Sequence, residues 1–404
     1  MQAATVDYRK QSPARRVVLL AGSAERARRL AALLSFDTEF ATRIDAVTNI
    51  AAVHAVVFAP DNVDGTCASA AQRLRQANPQ CLRILIYVDP ISLTARACDF
   101  MHQVLSRERA IDELDQRLQR CFQLRDLFAR AGHTDDLTGL EALPSLPAVY
   151  NEFIRVSNSE VIDFADIAAV IQNDLALTAR IVGLANSAAF AVGAPITTIE
   201  RAVGQLGLCM VSALVTATCL FSTLTDAREA EQLESVWAHS DKVAKLAIEL
   251  ADAEGFDDEA DRAEIMQAGL LHDIGQVVVM TQLPDVYRQL QQRSSADFGE
   301  RLEIERRELG ATHADIGACL LAYWGISARS IDAVACHHNP GAAAASDDIV
   351  ATSVLAANTL LATDGALDSG ATLTDTAVAY ALAGDFGAER VTRWCALVEA
   401  FVQR

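Results

Sequence analysis

The sequence has few aromatic residues and no regular cysteine pattern, and both absences narrow the possible classes of protein. Aromatic residues make up 6% of the 404 positions, whereas 51% of the positions are hydrophobic. Because alanine is abundant and the aromatic share is low, the composition favours helices over sheets. The nine cysteines include no Cys-x-x-Cys pair. This argues against a disulfide framework or a zinc finger and is typical of a protein in a reducing compartment.

The first residues also lack the pattern of a targeting signal. The stretch MQAATVDYRK does not have the basic-then-apolar order of a signal peptide. The longest apolar stretch, residues 206–224, approaches the length of a membrane span, but Gly, Ser, Thr and Cys residues interrupt it. We therefore interpret it as one or two buried helices, and we expect a cytoplasmic protein without membrane attachment.

Charge is distributed unevenly along the chain. Residues 1–130 hold 18 Lys/Arg and 14 Asp/Glu, a net charge of +4, whereas the rest of the chain holds 16 and 39, a net charge of −23. This change near residue 130 indicates two modules. An acidic main body disfavours nonspecific binding to phosphate backbones, so we expect no nucleic-acid partner.

Short apolar runs alternate with amphipathic segments in the first module. The pattern predicts strands at residues 15–20, 55–60, 82–88 and 102–106. It predicts helices at residues 25–35, 70–79 and 110–131. Strands that alternate with helices indicate an α/β fold with a parallel sheet covered on both faces.

This layout resembles a response-regulator receiver domain over about residues 14–125, within a predicted domain at residues 1–128. The residues that receivers use for phosphorylation are absent from the matching positions. Ala-Gly-Ser follows the first strand at residues 21–23, and Ala59 stands where receivers carry the acceptor aspartate. We interpret Asp61 and Asp64, just beyond that strand, as turn-forming residues. The resemblance therefore implies a docking or dimerisation module that cannot be phosphorylated.

Beyond a predicted polar linker at residues 129–142, the sequence predicts an all-α domain at residues 143–404. Several of its helices place a histidine on the apolar face, where burial costs free energy unless the ring nitrogens are paired. A single inward histidine is usually a hydrogen-bonded core residue. Histidines on four helices, with a carboxylate beside them, instead suit a mononuclear or dinuclear metal site. The candidate ligands are His239, His272, Asp273, His313, His337 and His338.

Several motifs in this half resemble one family. GLLHDIG at residues 269–275 is preceded by WAHS and followed by HADIGACLLAYWGI and HHNP. Together with stretches at residues 143–153, 171–190 and 196–207, these motifs resemble the HDOD family, a branch of the HD phosphohydrolase superfamily. The resemblance is best over residues 143–345. It implies an all-helical domain that acts in bacterial signalling without demonstrated hydrolase activity. The glycine at position 275 predicts that the preceding helix stops there.

The resemblance also implies which residues would hold a metal. Enzymes of the superfamily hold a divalent ion with a His, a His-Asp doublet and a final Asp, and the HD-GYP branch adds three histidines and cleaves cyclic dinucleotides. By position, the first His corresponds to His239, the doublet to His272 and Asp273, and the extra histidines to His313, His337 and His338. Asp273 is the candidate catalytic and bridging carboxylate. Asn358, which would be a weak neutral ligand, stands where these enzymes carry the final Asp. The GYP stretch is absent from the sequence.

Two functions therefore remain open. In the first, the chain is a non-catalytic signal-transduction protein that binds other signalling proteins, among them enzymes of cyclic di-GMP, and forms a homo-oligomer. In the second, it is a metal-dependent phosphodiesterase or phosphohydrolase that uses Mn²⁺, Fe²⁺, Zn²⁺ or Mg²⁺ to activate water.

Overall fold

The structure, a computed structural model, divides into two compact units. It describes residues 15–60, 65–78, 81–88, 101–130, 148–157, 163–187, 190–191, 193, 195–224, 230–293, 298–362 and 377–403. The first unit comprises Met1–Asn151 with Tyr323–Gly325, and the second comprises Glu152–Ala322 with Ile326–Arg404. The predicted linker at residues 129–142 lies almost wholly outside the described residues, so its bounds stay a prediction.

The first unit contains a five-stranded parallel sheet. Its strands are β1 Val17–Ala21, β2 Thr38–Ala41, β3 Ala55–Ala59, β4 Leu82–Tyr87 and β5 Gln103–Ser106. They are arranged in the order β2-β1-β3-β4-β5, and each neighbouring pair is parallel. The predicted parallel sheet is confirmed.

Burial explains why sequence reasoning found four of these strands and missed β2. Every residue of β1, β3 and β4 is buried, and continuous apolar runs are typical of central strands in a covered parallel sheet. β5 alternates between buried and half-buried residues. β2 has only four residues, at the edge of the sheet, and none of them is fully buried. A short, half-polar edge strand gives no periodic signal.

Helices follow three of the strands: α1 Ala24–Ala31, α2 Gly65–Ala77 and α3 Arg107–Arg130. The strand order is that of flavodoxin-like sheets, while the receiver resemblance itself stays a prediction. Ala21 and Ala59 end β1 and β3 without a carboxylate. Asp61 and Asp64, interpreted as turn formers, lie outside the described residues.

The regular elements that the structure describes in the second unit are all helices, which confirms the predicted fold class. Its first helices are α4 Ala148–Ser157, α5 Phe164–Gln172, α6 Leu175–Ala185, α7 Ile199–Leu224, α8 Ala230–Ala253 and α9 Glu259–Leu271. The next are α10 Ile274–Gln282, α11 Pro284–Arg293, α12 Phe298–Leu309, α13 His313–Tyr323 and α14 Ala328–Cys336. The last are α15 Pro340–Ser346, α16 Ile349–Leu361, α17 Ala377–Phe386 and α18 Ala388–Val402.

The long apolar stretch forms α7 and is a core helix. Residues Ile199–Ser222 are long and apolar enough to cross a membrane by length and composition, but 67% of the most apolar window is buried inside the protein. Gly207 has a φ of 77° and divides the helix in two at a kink. The prediction of one or two buried helices is thus confirmed, while the cytoplasmic location stays a prediction.

Helix α9 lies at the centre of the unit and packs against α7, α8, α14 and α16. Its contact with α8 is a backbone-to-backbone approach at Gly269, where an added Cβ would lie 2.5 Å from the Cα of Ala244. This close packing brings the ends of several helices together at one place. The candidate ligands lie there.

Candidate metal centre

The six candidate ligands come from four places in the helical unit. His239 lies on α8, and His272 and Asp273 form the junction between α9 and α10. Gly275 does not stop a helix as predicted, because the chain turns at residues 272–273 and α10 begins at Ile274. The glycine is needed for packing, since a Cβ there would lie 1.9 Å from the backbone oxygen of His313.

His313 is the first residue of α13, and the chain fixes that start with a reciprocal cap. The backbone N–H of Thr312 donates to Oδ2 of Asp315 (2.9 Å), and the N–H of Asp315 donates to Oγ1 of Thr312 (3.2 Å). This is a capping box with Asp at the third helical position. Because the helix begins at a defined residue, the direction of the His313 side chain is defined as well.

Three of the histidines have their Nδ1 atom bonded to an acceptor. His272 donates from Nδ1 to the carbonyl of Gly269 (2.7 Å), and His337 donates to the carbonyl of Val334 (2.6 Å). His313 directs Nδ1 to Oε2 of Glu305 at 2.7 Å. Since the Nδ1–H of each ring donates to an acceptor outside the cluster, the Nε2 atom faces the centre of the cluster.

The Nε2 atoms converge on Asp273. His272 Nε2 lies 3.4 Å from one carboxylate oxygen of Asp273, and the other oxygen lies 3.3 Å from His313 Nε2 and 3.7 Å from His337 Nε2. His338 Nε2 lies 3.0 Å from His313 Nε2. The structure therefore brings all six predicted ligands together. It also places His337 deeper than His338: the former is fully buried and the latter half-buried.

Burial and neighbouring charges shift the pKa values of the residues in this cluster in opposite directions. Burial alone would raise the pKa of Asp273, but the charge and hydrogen-bonding groups of His272, His313 and His337 hold that pKa well below its usual value. Burial acts to lower the pKa of His313, but Asp273 and Glu305 raise it to about 9. Burial lowers the pKa of His337 to about 4. These effects together favour the ionised form of Asp273 and the protonated form of His313.

Several buried polar atoms in the cluster have no hydrogen-bond partner. They are Nε2 of His272, Nε2 of His337 and Oδ1 of Asp273. Leaving such atoms unpaired costs about 1–3 kcal/mol each. All three are atoms that can bind a cation, and they lie among imidazole and carboxylate donors that suit Zn²⁺, Mn²⁺ or Fe²⁺. The residues present therefore fit a divalent metal ion.

The ligand atoms form two groups that share one residue. The first consists of Asp273, His313, His337 and His338, and the second of His239, His272 and Asp273. Within each group the ligand atoms all lie within 4.8 Å of one another. Asn358, predicted as a weak ligand, instead places Oδ1 2.9 Å from Nε2 of His239.

Sequence reasoning missed Glu305, which is 2% exposed and accepts from both the ring and the backbone N–H of His313. A signal was available, because Leu302, Glu305 and Leu309 follow helical spacing and all three are buried. A carboxylate within an apolar stripe needs a buried partner. The sequence does not show which partner that is.

Comparison with known proteins covers the part of the chain that holds the cluster. The model of the HDOD domain family matches residues 143–340. A structure of a proposed signal transduction protein from Marinobacter aquaeolei VT8 superposes with a TM-score of 0.50 at 22% identity, over 82% of this chain and 71% of that one. At that identity the likeness shows the fold alone.

Two further proteins are similar over smaller parts of the chain. An HDOD domain protein with unknown function from Geobacter sulfurreducens has 21% identity and a TM-score of 0.48, over 69% of this chain and 96% of its own. An uncharacterized protein from Treponema pallidum (strain Nichols) is 26% identical over 227 residues, which are 56% of this chain and 44% of that protein. The match thus spans less than half of this relative's length. The family match shows that this chain contains an HDOD domain at residues 143–340.

Proposed function

We propose that this chain is a regulatory protein of bacterial signal transduction whose HDOD domain binds other proteins and catalyses no reaction. In this proposal the cluster holds a divalent metal ion that stabilises the domain. The observation that carries the proposal is the pair formed by Asn358 and His239. Asn358 stands where enzymes of the superfamily carry their final Asp, and its neutral amide is hydrogen-bonded to His239 (2.9 Å). The cluster lacks the anion that a second catalytic ion would need.

Burial of the ligands supports a structural role. His272 and His337 are 0% exposed, and His313 is 1% exposed. A catalytic ion keeps one coordination position open to water and substrate, whereas a structural ion is enclosed by protein ligands. A divalent ion can act as a Lewis acid and lower the pKa of a bound water. These buried side chains would leave little room for a phosphodiester beside it.

The proposed partners follow from the resemblance and from the first unit. HDOD proteins resemble enzymes that cleave cyclic dinucleotides, so we propose that the partners include proteins that make or degrade cyclic di-GMP. The first unit, whose β1 and β3 end in Ala21 and Ala59, would serve as a docking or dimerisation module. A homo-oligomer is part of this proposal, and light scattering of the purified chain measures it directly.

A metal-dependent phosphodiesterase remains the second candidate, because five histidines and Asp273 converge within coordinating distance. An assay with bis(p-nitrophenyl) phosphate and cyclic di-GMP, in the presence of Mn²⁺, Fe²⁺ or Zn²⁺, decides between the two. We expect no turnover above that of the Asp273→Ala variant. Turnover by the wild-type chain that the variant loses would establish the enzyme and overturn the regulatory proposal.

A further inference from the structure

We infer that the first unit binds a small phosphorylated ligand with an aromatic ring, of about the size of a mononucleotide, in a crevice at the carboxyl ends of β1, β2 and β3. Below, this site is called the strand-end crevice. The inference goes beyond the proposed function, because it depends neither on the metal centre nor on the protein partners. The place of the crevice in the sheet, its size and its lining support it.

The strand-end crevice lies where the order of the sheet reverses. The order β2-β1-β3-β4-β5 places β2 on one side of β1 and β3 on the other, so the reversal falls between β1 and β3. Ala21 ends β1, Thr42 follows β2 and Pro60 follows β3, and all three residues line the crevice. Open α/β sheets bind ligands just beyond the carboxyl ends of their strands at such a point. The topology therefore favours a ligand site at this place.

The crevice has the size and the apolar lining of a small-molecule site. Its volume is about 740 Å³, within the range of about 300–1,000 Å³ that is typical of such sites. Ala21 and Gly22 line it where β1 ends, and neither carries a side chain longer than a methyl group. The side chains of Leu20, Ile44 and Phe58 also line it and are buried. Apolar side chains of this kind suit an aromatic ring.

Two arginines give the crevice the charge that an anion needs. Arg43 and Arg73 both line it, and the described residues that line it include no Asp or Glu. Asp45 lies between the two, with its carboxylate 2.7 Å from Nη1 of Arg73 and 3.7 Å from Nη2 of Arg43. One carboxylate between two guanidinium groups leaves a net positive charge. Guanidinium groups bind phosphate oxygens through paired N–H donors, so a phosphate is the anion that suits these arginines.

Hydroxyl groups from two further positions complete the lining. Thr66 and Ser69 lie on α2, and Thr42 follows β2. A hydroxyl group can donate to a phosphate oxygen or bond to a sugar hydroxyl. A few polar groups that converge above an apolar lining are typical of sites that hold and orient one small molecule.

Isothermal titration calorimetry on the full-length chain tests the inference. The probes are AMP, GMP and FMN, each of which joins an aromatic ring to one phosphate group. Adenosine lacks the phosphate, and inorganic phosphate lacks the ring. We expect at least one of the three probes to bind one site per chain with a dissociation constant on the order of 10 µM. Adenosine and inorganic phosphate should each bind at least roughly 10-fold more weakly.

Substitutions of single charged residues locate the site. Arg43→Gln and Arg73→Gln each remove one guanidinium group, and we expect about 10-fold weaker binding of the probe. Asp45→Asn removes the carboxylate that competes with the ligand for both arginines, so we expect tighter binding. Arg28→Gln is the matched control, because Arg28 is exposed on α1 and does not line the crevice; its affinity should equal that of the wild type. Circular dichroism of each variant shows that it is folded.

Each alternative result contradicts a stated part of the inference. If none of the three probes binds at millimolar concentration, or if Arg43→Gln and Arg73→Gln bind a probe as tightly as the wild type does, the strand-end crevice is not the site. Adenosine that binds as tightly as AMP would rule out recognition of the phosphate. If Asp45→Asn weakens binding, the ion pairs shape the crevice instead of competing with the ligand, and direct binding of phosphate by the arginines is wrong.

Discussion

Gly275 in α10 lies directly against the backbone of His313, the first residue of α13. An added Cβ at position 275 would lie 1.9 Å from the His313 carbonyl oxygen and 2.8 Å from the backbone nitrogen of Gly317. The glycine that follows the His-Asp doublet is thus what allows the helix carrying the doublet to reach the helix carrying another ligand. These are backbone atoms of α13, which cannot move aside for an added methyl group as the end of a flexible side chain could.

Gly275→Ala should therefore destabilise the protein and loosen the metal centre. We expect a loss of about 1–3 kcal/mol in the free energy of unfolding, because the extra methyl group forces two helices apart. Urea denaturation monitored by circular dichroism measures the loss, and Zn²⁺ affinity should fall with it.

Gly183→Ala provides the matched control for that substitution. Gly183 lies inside α6, and no atom lies within 4 Å of an added Cβ there. Alanine in such a helical position should stabilise by roughly 0.5–1 kcal/mol. If Gly275→Ala were as stable as Gly183→Ala, the close approach between α10 and α13 would not exist in solution.

Asp348 should make the stability of the second unit sensitive to acid. It accepts from Nε and Nη2 of Arg329 (both 2.9 Å) and caps α16 through the N–H of Val350. Burial alone would raise its pKa, but these donors lower the pKa below its ordinary value of 3.8. The bonded carboxylate thus stabilises the fold above about pH 4, and the stabilisation is lost as the pH falls through the lower folded pKa.

Two substitutions at Asp348 separate the charge from the cap. Asp348→Asn keeps an N-cap acceptor and should cost about 1 kcal/mol at pH 7, since the ion pair with Arg329 is partly exposed and screened. Asp348→Ala also removes the cap and should cost about 1 kcal/mol more. The difference between wild type and Asp348→Asn should shrink between pH 5 and pH 3, which urea titrations at several pH values measure. A constant difference would contradict the assigned titration.

Treatment with acetyl phosphate should leave the first unit unmodified. Phosphorylation of a receiver-like sheet needs an acceptor aspartate and a cluster of carboxylates that binds Mg²⁺. β3 ends in Ala59, and β1 is followed by Gly22 and Ser23. Intact mass spectrometry with Mg²⁺ and acetyl phosphate should show no added phosphoryl group. A phosphoryl group that maps to this unit would restore a phosphorylation switch and contradict the proposed docking role.

Much of the architecture could be predicted because its signals are local. The continuous apolar runs of β1, β3 and β4 identify buried strands, and helical spacing places His239 and His313 on inward faces. Helical spacing also placed His272 on an inward face, whereas Asp273 was identified as its neighbour in the GLLHDIG motif. The edge strand β2 could not be predicted, because an exposed strand of four residues has neither a continuous apolar run nor an alternating one.

The sequence by itself determined that the chain has two modules of different class and that its helical half directs histidines inward, because side-chain spacing along one helix or strand sets which face is buried. Only the tertiary structure decided what those histidines meet. The pairing of His239 with Asn358 joins residues 119 positions apart, and that of His313 with Glu305 joins two helices. Such pairs depend on how the helices cross, and no periodicity within a single helix encodes that crossing.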